Sequence, residues 1–288
     1  MLVIPGGGYS IPAPSEGVII AEKFLELGYN TFVLSYTVRL GENTKPLKKQ
    51  PLHDAERAIR LLRSENDRFN IDPHKIAVIG FSAGGHLAAS LAVHADEDGM
   101  PGGVSGRPDA AVLSYPVITS GKFTHQGTID CLMGKNPTES ELLWASLEKQ
   151  VTKDTCPCFI WHTYADSLVP AENSLLFEKA LAEAGITREL HIFATGHHGQ
   201  SLATEYWKSG NYYADDVLSQ FRAAIEWEAE QHDGSYSSNL FDLNKVSVDE
   251  AYDIQLKTVM PSADAQVNES LQIWPVLADN FLKSVFKD

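Results

Sequence analysis

The stretch AVIGFSAGGHLAA, residues 77–89, contains Gly80-Phe81-Ser82-Ala83-Gly84, a G-x-S-x-G pattern. Ordinary glycine and serine usage produces such a pattern by chance in roughly one chain in ten of this length, so its surroundings must decide its meaning. An apolar run of strand length, Lys75–Gly80, leads directly into it, and a helix-length run, Ala83–Ala95, leads directly out. Strand, sharp turn and helix is the layout that lifts a serine Oγ above the end of a sheet. The small neighbours permit the strained turn. A phosphate-cradling turn is the competing reading, and it lacks the G-x-G-x-x-G that would accompany it.

Working outward, strand-length apolar runs alternate with helix-period segments. The expected strands are Leu2–Pro5, Asn30–Tyr36, Lys75–Gly80, Ala110–Tyr115, Cys158–His162 and Arg188–Phe193. Most are continuously apolar, as strands buried on both faces of a parallel sheet should be. The expected helices are Ser15–Leu27, Leu52–Phe69, Ala83–Ala95, Glu172–Ala184 and a last one after Trp274-Pro275. Leu52, Ala55, Ile59 and Leu62 form one stripe, with Arg57, Arg60 and Arg63 off it. Ala83–Ala95 is apolar almost all round and should be buried. The alternation predicts an α/β fold with helices on both faces of a six-stranded, mainly parallel sheet. Two segments break the rhythm: a cap-like excursion at 116–150, and a polar, weakly periodic insertion at 205–268 before the last helix. One domain spanning 1–288 is expected.

A serine is a weak nucleophile and needs a base, which in turn needs an orienting carboxylate. Where the serine sits on such a turn, the chain order is serine, acid, histidine, each past the end of a strand. Asp166 follows Cys158–His162, and His197 and His198 follow Arg188–Phe193. Asp154 precedes its strand, and His191 lies within one. His86 reads as a packing residue, and His162, at a strand end before the acid, as a histidine that supports the site from behind or packs in the core. Attack on an acyl carbon creates an oxyanion that needs backbone donors. The residue after the nucleophile, Ala83, supplies one. The loop after an earlier strand supplies the rest, and here Leu2–Pro5 feeds into Gly6-Gly7-Gly8. Gly7 and Gly8 are the expected donors, with Tyr9 as the alternate.

These pieces resemble an α/β-hydrolase esterase of the acetyl-xylan-esterase-like, sugar-ester hydrolase branch. The resemblance is carried by VIPGGGY, GFSAGGHLAA, SLEKQVTKDTCPCFIWHTYADSLVP, FATGHHGQSLA and WPVLADNFLK, which span most of 1–204 and the last helix. It implies that the histidine before the glycine of Gly196-His197-His198-Gly199 is the base, which selects His198. It also implies a sheet order of 1-2-4-3-5-6-7-8. This chain starts at the glycine loop, so strands 1 and 2 are missing and 4-3-5-6-7-8 should remain, contiguous and parallel. The resemblance does not explain 205–268. That segment leaves directly after the His198 loop and opens with Tyr206, Trp207, Tyr212 and Tyr213, which suits the mouth of the site or a contact in a homo-oligomer.

Composition narrows the partners. The chain has 288 residues, 38 acidic and 23 basic, for a formal net charge of −15. Nucleic acid and anionic membranes would be repelled. Cys131, Cys156 and Cys158 are too few and too oddly spaced for a disulfide framework. No signal peptide is visible and no apolar run approaches membrane-spanning length, so a cytoplasmic location is expected. No metal or organic cofactor is expected for a serine mechanism. The expected activity is a serine esterase acting on short acyl groups, acetyl above all, carried by a polar uncharged alcohol such as a sugar. Lys122, His125, Gln126, Asp130, Lys135 and Glu139 interrupt the cap and argue against a long acyl channel. Tyr9, and secondarily Trp144, could offer flat faces to a sugar ring. Two other readings share the fold. A prolyl-oligopeptidase-type peptidase would carry propeller repeats, and none are seen. A non-catalytic binding protein would be expected to have lost a triad member.

Overall fold

The computed structural model describes residues 1–39, 45–212, 215–231, 236, 241–259 and 265–287. Six strands form one sheet: β1 (Leu2–Ile4), β2 (Phe32–Val33), β3 (Ala77–Phe81), β4 (Ala110–Ser114), β5 (Cys158–Thr163) and β6 (Arg188–Phe193). Their order is β2-β1-β3-β4-β5-β6, every pairing is parallel, and β1 lies inside the sheet between β2 and β3. This is the contiguous order that the sequence resemblance implies. The helices are α1 (Val18–Glu26), α2 (Gln50–Ser64), α3 (Asn66–Phe69), α4 (Ser82–His94), α5 (Gln126–Met133), α6 (Glu139–Ala145), α7 (Glu172–Glu183), α8 (Glu205–Ser209), α9 (Asp215–Gln231), α10 (Val248–Val259) and α11 (Trp274–Val285).

The strands read as continuously apolar because alternate residues enter two different cores. Leu2, Ile4, Val78, Leu113 and Ile160 face a core closed by α2, α4, α7 and the 116–150 excursion. Val3, Ala77, Ile79, Phe81, Val112, Phe159 and Trp161 face the opposite core, closed by α1, α8 and α11. All thirteen residues of α4 are buried, as its all-round apolar sequence requires.

Several boundaries differ from the sequence reading. The Asn30–Tyr36 run pairs only at Phe32 and Val33, because β2 is an edge strand. The helix expected over Ser15–Leu27 is divided at Gly17 into a 3-10 turn, Pro14–Glu16, and α1. The helix expected over Leu52–Phe69 breaks at Glu65. Among its described residues, segment 205–268 contains three helices, α8, α9 and α10, which its weak periodicity hid. Trp207 and Tyr212 are buried in the core beside α11 and are not an interface surface, whereas Tyr206 is exposed. Tyr213 lies outside the described residues. From α10, Tyr252 and Leu256 pack on Ile11, which follows the glycine loop.

Candidate active site

The chemistry-bearing residues collect past the C-terminal ends of β1, β3, β5 and β6. Ser82 follows β3 with φ 53°, a left-handed conformation that is strained for a residue with a side chain. Two features hold it there. Val117 N–H donates to the Ser82 carbonyl, 3.1 Å. Below it, α4 presses against the sheet so closely that a Cβ on Gly84 would lie 2.2 Å from the Ile4 carbonyl oxygen. Only glycine fits there, so the second glycine of the motif is a packing requirement.

His198 bridges the other two candidates. Its Nε2 is 2.8 Å from Ser82 Oγ, and its Nδ1 is 2.7 Å from Asp166 Oδ2. A carboxylate only accepts, so the proton sits on Nδ1 and Nε2 is left to accept from the serine. Asp166 Oδ1 in turn accepts from the N–H groups of Leu168 and Val169, at 3.0 and 2.9 Å. Burial pushes the Asp166 carboxyl upward, but hydrogen bonds from His162, His198 and Val169 outweigh it and hold the pKa well below the usual range. The loop carrying His198 is tied to β5 by Thr163 Oγ1, which donates to the Gly196 carbonyl, 2.7 Å. His197 points elsewhere: its Nδ1 lies 2.9 Å from the carbonyl of His198. The structure therefore brings Ser82, Asp166 and His198 together and leaves His197 out.

Gly7 and Gly8 have φ of 111° and 65°. A Cβ on Gly7 would lie 2.0 Å from the Ile11 carbonyl oxygen, so glycine is required at that turn. Among the described residues, no protein group accepts from the N–H of Gly7, Gly8 or Ala83. Ala83 stands in the first turn of α4, where N–H groups lack intrahelical partners.

Tyr9 does not offer its ring to a ligand. It is 1 % exposed, and its hydroxyl lies 3.0 Å from His86 Nδ1. The φ of 60° at Tyr9 turns the side chain back under the loop and into the core, a direction the sequence does not reveal. Trp144 is likewise no sugar platform: it stacks on His94 at 4.4 Å and donates from Nε1 to Glu97. His86 is a buried packing residue, whereas the buried His162 also supports the acid, its Nε2 lying 3.4 Å from Asp166 Oδ2. His162 bonds Ser174 Oγ and the Val169 carbonyl behind the acid loop.

Three contributors escaped the sequence reading. Asn173 Oδ1 accepts from Ile118 and Thr119 N–H while its Nδ2 donates to the Phe123 and Pro170 carbonyls, which staples the excursion to the acid loop. His125, on that excursion, senses the charges of His198 and Asp166; burial is the main cause that lowers its pKa. Glu16 is a buried carboxylate beside the glycine loop. None stands in a recognisable motif, and each acts through partners distant in sequence. Among the described residues, no group of three His, Cys, Asp or Glu side chains could hold a metal ion. The three cysteines are free thiols, and no described helix is long and apolar enough to cross a membrane.

The chain is 47% identical over 226 residues to endo-1,4-beta-xylanase B of Butyrivibrio fibrisolvens, covering 76% of this chain and 35% of that protein. It is 28% identical over 207 residues to an acetylxylan esterase of Xylanibacter ruminicola, covering 70% and 41%. The chain thus spans less than half the length of either relative. Among solved structures, an acetyl ester-xyloside bifunctional hydrolase from Caldicellulosiruptor lactoaceticus superposes with a TM-score of 0.66 at 40% identity, covering 78% of this chain and 82% of that one. The fold is that of the α/β-hydrolases. The BD-FAE family profile matches residues 1–181, a span that runs through the glycine loop, the elbow serine and the acid loop, and the chain belongs to the BD-FAE family.

Proposed function

We propose that this chain is a serine carboxylic-ester hydrolase that removes short acyl groups, acetyl above all, from sugars or similar polar alcohols. The observation that carries the reading is the single histidine ring placed 2.8 Å from Ser82 Oγ and 2.7 Å from Asp166. Ser82 Oγ attacks the acyl carbon as its proton passes to His198 Nε2. Asp166 orients the ring and supports the imidazolium. The N–H groups of Gly7, Gly8 and Ala83 receive the oxyanion. The tetrahedral species collapses, the bond to the alcohol oxygen breaks, and His198 returns the proton to that oxygen. Water, deprotonated by the same ring, then releases the acid and regenerates Ser82.

The substrate class draws on two supports. The names of the relatives and of the solved neighbour point to acetyl and xylan esters. The cap carries polar side chains at Lys122, His125, Gln126 and Asp130, which do not suit a long apolar chain. The test pairs Ser82→Ala with a chain-length series of aryl esters and a panel of acetylated xylo-sugars. The expected result is a folded, inactive variant, losing several orders of magnitude in kcat, and efficiency in the wild type that peaks at acetyl. Turnover retained by Ser82→Ala sinks the serine mechanism. Efficiency that climbs steadily from acetyl to long chains sinks the sugar-ester reading.

A further inference from the structure

Glu16 is a carboxylate 3 % exposed, and no Lys, Arg or His pairs with it among the described residues. Removing an unpaired charge from water is costly, so its surroundings must offset that cost. Both of its oxygens are engaged. Oε2 accepts from Gly6 N–H at 2.8 Å, and Oε1 accepts from the Tyr115 hydroxyl at 2.7 Å. One partner belongs to the glycine loop and the other lies against the His198 ring. Gly6 immediately precedes the glycines of the oxyanion loop. It also sits between the carboxylate and the elbow: a Cβ built on it would lie 2.7 Å from Glu16 Oε2 and 2.9 Å from Ser82 Cβ. Tyr115, just past β4, has φ 36° and sets its ring edge-on to His198, with centroids 5.0 Å apart. The same 3-10 turn is fastened to the segment after His198, since Ser201 Oγ donates to the Ser15 carbonyl at 2.6 Å.

We infer that Glu16 is a positioning residue of the active site: through Gly6 it sets the oxyanion loop, and through Tyr115 and its own negative charge it seats and supports the His198 imidazolium. The inference rests on the esterase reading for its kinetic consequence, but the effect on His198 is independent of turnover. The groups that act on the His198 charge are Asp166 from the acid loop, His125 from the cap, Tyr115 past β4 and Glu16 from the 3-10 turn. Asp166 bonds the ring directly. His125 opposes a positive charge on it. Glu16 is the second anion that favours one. Burial outweighs the Tyr115 bond, the His198 charge and the Gly6 bond and lifts the Glu16 pKa above its ordinary value, while both of its oxygens accept hydrogen bonds as a carboxylate does.

The test uses the full chain as wild type, Glu16→Gln, Glu16→Asp and Tyr115→Phe. The titration of His198 is followed by NMR of histidine-labelled protein, kcat and KM are measured on an aryl acetate, and Tm is recorded for each. Glu16→Gln keeps the shape and removes the charge. It should lower the His198 midpoint, because an anion that favours the imidazolium is lost. Its kcat should fall about tenfold or more with KM nearly unchanged, because the loop donors act on the transition state. Glu16→Asp retains the charge but cannot span both partners, so kcat should fall while the midpoint stays. Tyr115→Phe should lower kcat but, because it leaves the Glu16 carboxyl in place, should lower the His198 midpoint less than Glu16→Gln does. An unchanged His198 midpoint in Glu16→Gln, or kcat losses that simply follow Tm across the variants, overturns the inference. If Glu16→Gln does not fold, an aspartate variant whose His198 midpoint falls as kcat falls overturns it, because the charge is still present. Wild-type protein inactive on every ester would sink the esterase reading alone, and the titration would still decide what Glu16 does to His198.

Discussion

Lowering the pH from 7 to 5 tests the buried link between the glycine loop and the elbow helix. His86, on α4, is 0 % exposed. Its Nε2 lies 3.1 Å from the Ala145 carbonyl and must carry the proton, so Nδ1 accepts from the Tyr9 hydroxyl at 3.0 Å. A second proton would have to enter at Nδ1, where it meets a donor. Burial is the main reason the pKa falls from 6.5 to about 4; the Ala145 carbonyl opposes that fall, and the nearby His94 adds to it. Between these two values the unfolded chain binds a proton that the folded chain refuses, so stability decreases as pH falls through the window from 6.5 to 4. From pH 7 to pH 5 the loss attributable to His86 is about 2 kcal/mol. The assay is urea unfolding of the wild type and His86→Gln at both pH values. Glutamine can donate to Ala145 and accept from Tyr9 without titrating, and the other titrating groups are common to both proteins. The wild type should lose about 2 kcal/mol more than the variant on going to pH 5. Parallel losses would mean that folded His86 takes up a proton as readily as the unfolded chain, and the argument from burial would fail.

Three other outcomes are expected. His198→Ala should abolish ester hydrolysis while His197→Ala leaves most of it, since only the first ring faces Ser82; steady-state kinetics of the two variants with matched circular dichroism decides between them. Gly84→Ala should cost about 3 kcal/mol or prevent folding, because the new Cβ would meet the Ile4 and Pro5 carbonyls at 2.2 and 2.4 Å; thermal or urea unfolding reads this directly. Tyr252→Ala should raise KM for an aryl acetate more than it lowers kcat, because its ring packs on Ile11 just past the glycine loop; equal kinetics in variant and wild type would remove α10 from the mouth of the site.

Much of the fold is legible in the sequence, for identifiable reasons. Strands buried on both faces must be apolar throughout, so β3, β4 and β5 stood out as unbroken runs. The Gly-x-Ser-x-Gly motif was readable because two local demands coincide at one junction: a strained serine, and a helix pressed too close to the sheet for any side chain at Gly84. Asp166 and His198 could be placed because such residues follow the ends of strands that were themselves visible. The edge strand β2 was overextended because apolar character at a sheet edge does not report how many residues pair. The helices of 205–268 were obscured because their stripes are interrupted by polar residues. Other features belong to tertiary structure alone. Whether Tyr9 faces a ligand or the core depends on one backbone angle in a loop, and the sequence pattern is the same either way. The residues by themselves left His197 and His198 open; the family resemblance selected His198, and the structure aims that ring at Ser82. Glu16 is separated by 99 residues from Tyr115 and by 10 from Gly6, and no local pattern marks an acid whose partners are a backbone N–H and a distant phenol. Periodicity along a chain encodes which face is buried; it does not encode which two buried polar groups will meet, because that depends on how the whole sheet brings its strand ends together.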